Sequence, residues 1–488
     1  MNNVLPRYNG PAFFGVRPQH PIFLPIPVAG ECVTIQPENL PIGVTFNAEN
    51  RVVGGVLTQT GDCKIDFTAE NKFGKISFAV IIKVGEDIAL TPPMGWNSWY
   101  CFSETVSDER IRQVAKAMVD RGLAAHGWNF INIDDCYQGE RGGKFNALQG
   151  NERFPDFYDL ISYVHNLGLR FGLYSTPWIS TYAGFRGGSD DGGYEKLMFL
   201  PETERLQVNQ VFGRWPGGHY RGQYRMGSCC RLPEDVRQWA DWQVNYVKMD
   251  WNPNDVPTTR KIAELLRGSG RDIILSLSNS APVELGSELA KLAQLWRITG
   301  DIHDNFDSIK NIGFAHDPRW RNLSSPGHWN DPDMLQIGAI GVPNQQNTTY
   351  KPSDLSYEEQ KLQFSLWSLM SAPLLLSCDI AGMDDETFGL LTNDEVIAID
   401  QDVFGAPAIF HEITPEHRMV TKVLADGSMA IGLFNLGDEA TTLNLNLSAS
   451  ELAGKCYLTD LWSGEQERAV EHRSFVVSSH GVVLLKLS

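Results

Sequence analysis

The sequence predicts an α/β protein: a (β/α)8 TIM barrel flanked by an N-terminal β-sandwich and a C-terminal antiparallel β-sandwich. Three observations carry that expectation. Between residues 89 and 404, eight apolar strand-like runs alternate with amphipathic helical runs, the pattern of a parallel sheet closed on itself and ringed by helices. On either side, residues 1–88 and 405–488 alternate apolar and polar positions with period two between Gly, Pro and Asn turns, as half-buried strands do. Finally, acidic side chains recur at the C-terminal ends of the candidate barrel strands, where such a fold places its pocket.

In the first zone the strand candidates are "HPIFLPIPVAG", "NRVVGGVLTQTG", "KIDFTAENKFG" and "KISFAVIIKVG", and "EDIALTPPMGW" reads as a linker because paired prolines suit neither helix nor strand interior. The barrel strands are expected at "MGWNSW" (94–99), "FINIDD" (130–135), "RFGLYSTP" (170–177) and "YVKMDW" (246–251). They continue with "DIILSLS" (272–278), "WRITGD" (296–301), "HWNDPDML" (328–335) and "PLLLSCD" (373–379). Helical periodicity marks "SDERIRQVAKAMVDRGL", "FYDLISYVHNLG", "TTRKIAELLRGSG" and "YEEQKLQFSLWSLM". One connection, "WISTYAGFRGG…YRMGSCCRLPED", far exceeds the usual loop length, and its Trp, Tyr and Arg content predicts an ordered wall over the site. In the last zone "ADGS" between alternating runs signals a hairpin.

Composition narrows the function. The 488 residues are 42% hydrophobic and 20% charged, as in ordinary globular chains, and no apolar run is long enough for a membrane span. With 41 basic against 59 acidic residues the net charge is −18, which repels phosphate backbones and makes nucleic acid an unfavourable partner. Eight cysteines without a CxxC pair offer neither a disulfide scaffold nor a zinc signature. The opening "MNNVLPRYNG" has no basic stretch followed by an apolar core, so no signal peptide is visible, and the compartment stays open between exported and cytoplasmic.

The strand ends carry the chemistry. In "YVKMDWNPND" Lys248 and Asp250 are two positions apart and so share one face of a core strand, although a buried pair is no guarantee of stability. The other strand ends supply Trp99, Asp134 and Asp135, Tyr174, Ser276 and Ser278, Arg297 and Asp301, and Asp331 and Asp333. A lone carboxylate there is more often a cap or loop anchor; the concentration of acids beside aromatics is what informs. Metal hydrolysis calls for histidine ligands in HxH or HExxH spacing, and neither occurs. Schiff-base chemistry at Lys248 calls for a depressed ammonium pKa, which Asp250 on the same face opposes. Glycoside hydrolysis, which needs two carboxylates flanking one bond, fits the list best.

The motifs "PPMGWNSW", "INIDDC", "VKMDW", "WRITGDI" and "WNDPDML", in that order over roughly residues 90–405, resemble glycoside hydrolase family 27, the α-galactosidase and α-N-acetylgalactosaminidase family. The trailing "SLWSLMSAPLLLSCDI" and "NDEVIAIDQD" fit it too, and the N-terminal zone resembles the immunoglobulin-like module that precedes some bacterial members. The resemblance implies retention of anomeric configuration, with Asp250 as nucleophile and Asp301 as acid/base. It implies a sugar pocket formed by Trp99, Asp134, Asp135, Tyr174, Lys248, Arg297 and Asp333, with the Asp134–Asp135 pair on the C4 and C6 hydroxyls of galactose. No metal or organic cofactor is implied. Lys248 is then expected to help keep Asp250 ionised. Arg297, on the face of Asp301, is expected to point at the sugar's 2-position, since beside the acid it would oppose proton donation.

Two departures stand out. Where family members commonly bridge the loop after strand three to the position two past the nucleophile, this chain has Tyr182 and Asn252; Cys101 and Cys136 lie near a second common bridge and could pair. In "SLSNSAP", Ser278 and Ala281 match the acetamide-accommodating pattern of the family's N-acetylgalactosaminidases. The first expectation is therefore an exo-acting α-galactosidase on carbohydrate, the second an α-N-acetylgalactosaminidase, and the third a β-L-arabinopyranosidase, against which the intact acid pair argues. A non-catalytic sugar-binding barrel is the alternative of a different class. Oligomeric state and aglycone preference are not legible.

Overall fold

The computed structural model describes residues 4–192, 224–342 and 349–488 together with the backbone of 206–207 and 218–219. Eight parallel strands run in chain order around the centre: β1 Met94–Asn97, β2 Phe130–Asn132, β3 Arg170–Ser175, β4 Tyr246–Asp250, β5 Ile274–Ser278, β6 Leu295–Arg297, β7 Trp329–Asp331 and β8 Leu374–Leu376. β8 pairs back onto β1. Closure between β7 and β8 comes just past the end of β7, where the Leu335 N–H donates to the Leu375 carbonyl at 2.9 Å. All eight expected strands are present, each shorter than its apolar run. β2 stops at Asn132, β6 at Arg297 and β7 at Asp331, so Asp134, Asp135, Asp301 and Asp333 stand on the turning chain beyond the ladder. The expectation that Asp301 shares a strand face with Arg297 is thereby corrected: β6 ends at Arg297 itself, and Asp301 lies beyond the turn that follows.

The helices form where periodicity and caps agree. α1 (Asp108–Asp120) starts at the Ser107 side chain, α2 (Phe157–Asn166) at that of Asp156, and α4 (Val256–Arg267) at that of Asp255. Each cap accepts one of the first-turn N–H groups that have no partner within the helix. α3 is Leu232–Asp241, α5 the short Gly286–Leu289 and α6 Phe306–Gly313. α7 (Tyr357–Met370) carries a complete capping box, Ser356 with Glu359. From Leu362 onward every residue of α7 is buried, because the helix lies between the barrel and the C-terminal sheet. Two of its buried polar residues are accommodated there by hydrogen bonds: Gln363 accepts from the Gln336 N–H at 2.9 Å and donates to the Met334 carbonyl at 3.3 Å, and Ser365 donates to the Lys361 carbonyl at 2.8 Å.

Before the barrel, a four-stranded sheet (Phe13–Val16, Gly74–Val84, Gly61–Asn71, Thr34–Pro37) and a three-stranded one (Pro21–Pro25, Val52–Val56, Val44–Asn47) enclose a separate core around Leu24, Ile35, Phe67, Val80 and Ile82. This unit sits against the barrel's starting end. There the opening residues Phe130, Tyr246, Ile274 and Leu295 of four strands cluster with Ile88. Asp272, just ahead of β5, accepts from the Arg17 N–H (2.9 Å) and Arg17 Nη1 (3.1 Å), and its Oδ1 lies 2.9 Å from His20 Nδ1.

After the barrel, a six-stranded antiparallel sheet centred on Met429–Asn435 and Val482–Leu487 faces the pair Thr441–Asn446 and His472–Val477. Alternation divides the strand Met429–Asn435 between two cores: Ile431 and Leu433 face the sandwich, while Ala430 and Phe434 join the barrel's core. Among the described residues no helix is long and apolar enough to cross a membrane.

Candidate active site

The C-terminal ends of β1–β7 open into a cavity lined by Trp99, Tyr100, Asp134, Asp135, Tyr174, Tyr182, Lys248, Asp250, Asn279, Arg297, Asp301, Asp333 and Met334. Beneath it, inside the barrel, a smaller polar space shares Lys248, Arg297, Asp333 and Met334 and adds Asn97, Tyr246, Ser276, Ser278 and Asp331.

Asp250 ends β4 and is 7% exposed. Tyr174, on the neighbouring β3, donates its hydroxyl to Asp250 Oδ2 at 2.9 Å, while Oδ1 is buried without a hydrogen-bond partner. Burial pushes the carboxyl up to about 7; Lys248 pulls it down, Asp301 and Asp134 raise it, and the Tyr174 hydroxyl lowers it. Desolvation outweighs the cation.

Lys248 does not pair directly with Asp250. Its ammonium lies 2.8 Å from Asp134 Oδ2 and 5.3 Å from the centre of the Tyr174 ring. Burial opposes its charge, but Asp134 and Asp250 more than compensate, and its pKa is raised. The sharing of a strand face is real, yet the direct partner comes from the turn after β2, across β3. Lys248 therefore acts on Asp250 through the field of the site.

Asp134 Oδ2 also accepts from Asn97 Nδ2 at 2.8 Å, and Oδ1 takes the Asp135 N–H at 2.9 Å. Asp135 accepts the N–H groups of Cys136 (2.7 Å) and Ala183 (2.9 Å). Burial nonetheless carries its carboxyl up to about 7 against those donors and the Thr181 hydroxyl. Both acids line the cavity, because the chain turns after Asn132 instead of continuing in strand alternation.

Asp301 is the open carboxylate, its side chain 36% exposed, with Oδ1 3.2 Å from Arg297 Nη2. Arg297 is buried and also reaches Asp333 Oδ2 (2.8 Å) and the Gly300 carbonyl (2.6 Å). This corrects the expectation that Arg297 would stand away from the acid: its Nη2 is held by the carboxylates on either side, since a buried guanidinium needs neighbouring acceptors. Its Nε has no hydrogen-bond partner. Asp333 is held at φ 80° and accepts the N–H groups of Ile302 and Met334 at 2.9 and 2.8 Å. Burial raises its pKa and Arg297 restrains the rise.

Four cavity residues lay outside the expected set: Tyr100, Tyr182, Asn279 and Met334. Asn279 and Ser280 are both left-handed, at φ 74° and 64°, a conformation Asn tolerates well; the "SNSAP" stretch carried that signal. Asn279 faces the cavity, whereas Ser278 lines the lower space, and Ala281 is packed in the barrel core with its N–H on the Arg297 carbonyl (2.9 Å).

Where the expected family bridge is missing, aromatic contacts hold the wall. Tyr182 packs against Trp178 (5.3 Å between ring centres) and Tyr224 (5.4 Å), and the Tyr224 hydroxyl donates to the Tyr182 carbonyl at 2.9 Å. These residues come from the two ends of the long connection, which a short pairing of Ser189–Asp190 with Cys229–Cys230 brings together. The wall expected from the rest of that connection falls mostly on 193–205, 208–217 and 220–223, outside the described residues. Cys101 and Cys136 are both buried free thiols and are not bridged.

A parallel eight-stranded barrel whose sequence-final ends carry paired carboxylates and aromatic walls defines the class of barrel glycoside hydrolases. The alpha galactosidase A family model matches residues 91–198 and 216–402, and the alpha galactosidase C-terminal β-sandwich domain matches 414–487. Alpha-galactosidase 2 of Arabidopsis thaliana is 30% identical over 413 residues, which cover 82% of this chain and 90% of that protein. A crystal structure from Bacteroides fragilis, described as a candidate alpha-galactosidase/melibiase, superposes with a TM-score of 0.83 at 26% identity, covering 99% of this chain and 98% of that one. The β-L-arabinopyranosidase of Geobacillus stearothermophilus superposes with a TM-score of 0.65 at 26% identity, covering 82% and 97%. The chain belongs to the alpha galactosidase A family, glycoside hydrolase family 27, and is a glycosidase of the α-galactosidase type.

Proposed function

We propose that the protein releases terminal α-linked D-galactose from oligo- or polysaccharides by a double displacement with net retention. Asp250 is the nucleophile in this reading, and Asp301 is the acid and then the base. The observation that carries it is Asp250, a carboxylate lining the cavity whose Oδ1 is buried without a hydrogen-bond partner while Oδ2 is fixed by Tyr174. A carboxylate oriented through one oxygen keeps the other for attack on an anomeric carbon. Asp301, the more open of the two, can meet the leaving oxygen where the aglycone departs and later deprotonate water. Arg297 between Asp301 and Asp333 orients the acid, and the Lys248–Asp134 pair presents a donor and acceptors to the sugar's hydroxyls.

Galactose is preferred over N-acetylgalactosamine in this reading because Asn279, not Ala281, borders the cavity beside Asp250. The retained Asp134–Asp135 pair supports a hexose over a pentose. We also read the chain as three units, 1–88, 89–404 and 405–488, with the chemistry confined to the second. The test is proton NMR of p-nitrophenyl α-D-galactopyranoside hydrolysis, with kcat/KM compared against the α-N-acetylgalactosaminide and the β-L-arabinopyranoside. α-Galactose as first product and the galactoside as best substrate are expected. β-Galactose as first product rejects the double displacement, and a lead for either other sugar rejects the specificity.

A further inference from the structure

Arg170 opens β3 at the barrel's starting end, remote from the carboxylates. Its guanidinium carbon lies 5.1 Å from the ring centre of Phe14, in the N-terminal unit, and 5.1 Å from that of Phe130, in the barrel. Its Nε donates to the Phe23 carbonyl at 3.2 Å. Among the described residues its terminal nitrogens make no hydrogen bond and no ion pair. The nearby acid, Asp272, is already taken by Arg17 at 3.1 Å and His20 at 2.9 Å.

Two small clefts meet along this side chain and share Phe14, Ala89, Phe130, Arg170 and Ile274 in their walls. The second is also lined by Arg271, whose Nε is buried without a partner. Aromatic faces attract a guanidinium's charge but accept no strong hydrogen bond, so the N–H donors of Arg170 are left to whatever fills the cavities. A carboxylate or phosphate oxygen pair matches that fork. Burial lowers the pKa of Arg170 to about 10 and that of Arg271 in the same direction, as expected of cations without sufficient counter-charge.

We propose that the junction between the N-terminal unit and the closed end of the barrel is a binding site for a small oxyanion, a carboxylate or a phosphate, held by Arg170 with Arg271 as the second cation. The anion would stabilise the contact between the two units without entering the catalytic cavity. A chain of net charge −18 does not collect anions indiscriminately, so saturable binding reports a local site.

The test is thermal unfolding of the full-length protein titrated separately with sodium phosphate and sodium acetate, each against sodium chloride at equal ionic strength. A saturable rise in Tm is expected with at least one oxyanion, and the preferred one identifies the source. Arg170→Gln should lose the rise, Arg170→Lys should weaken it, and kcat/KM on the galactoside should not change with either anion. An equal response to chloride, no response, or an unchanged response in Arg170→Gln overturns the proposal. Should the variants fail to fold, wild-type crystals soaked separately in arsenate, for phosphate, and in dibromoacetate, for a carboxylate, decide: an anomalous peak beside the Arg170 guanidinium with either supports the site, and its absence with both at saturation rejects it.

Discussion

The two ends of the barrel are built by the same strands and have opposite characters. At the starting end, Phe130, Tyr246, Ile274 and Leu295 cluster under a β unit, fastened by the Arg17–Asp272–His20 contacts. At the finishing end, Asp134, Asp135, Asp250 and Asp333 are buried acids with pKa values of about 7 for Asp135 and Asp250. A few residues along one strand separate the two: β4 begins at Tyr246 and ends at Asp250. The barrel tolerates costly charges at one end because the other end and the outer helices supply the apolar burial. If that division holds, changes at the finishing end alter turnover and its pH dependence, and changes at the starting end alter stability alone.

The largest effect is expected from Asp250→Ala, a loss of about 10^4-fold or more in kcat. Azide should restore turnover and yield the β-galactosyl azide. An α-azide would exchange the assignments of Asp250 and Asp301. Asp301→Ala should cost about 10^2–10^4-fold on substrates with poor leaving groups. It should keep a measurable first step on activated aryl galactosides, seen as a burst of phenol; equal losses on both classes would remove Asp301 from the acid role.

The pH dependence sharpens the comparison further. As the proposed nucleophile, Asp250 would have to be ionised to attack, and burial pushes it up to about 7, so kcat/KM should fall as pH drops through that region. Lys248 lowers that pKa, so Lys248→Met should displace the acid limb to higher pH; a limb that stays put would mean another group titrates. The sign for stability is the reverse of the usual carboxylate. The folded pKa, about 7, lies above the reference of 3.8, so the unfolded chain holds fewer protons between those values and stability falls as pH rises through them. Asp250→Asn should therefore raise Tm at pH 8 but hardly at pH 4, with a gain of up to a few kcal/mol. A gain independent of pH would contradict the burial cost.

The smallest effect on activity belongs to Asp272→Ala. Loss of an acceptor shared by Arg17 and His20 should cost about 2–4 kcal/mol in denaturant unfolding and leave kcat/KM unchanged. A drop in kcat/KM at a temperature where the variant is folded would show that the two ends are coupled.

The sequence alone determined the architecture, because alternation, helical period and turn chemistry are local properties of the chain. The eight strands, the helices capped by Ser107, Asp156, Asp255 and Ser356, and all five acids that line the cavity were legible in the sequence. The tertiary structure decided partnership. That Lys248 pairs with Asp134, and Arg297 with Asp301 and Asp333, depends on strand register and on where each strand stops. That Asn279 rather than Ala281 meets the cavity depends on two left-handed residues in one loop. Spacing along a chain fixes which face a side chain leaves from. It does not fix which neighbour waits there, nor whether burial outweighs a nearby cation, as it does at Asp250.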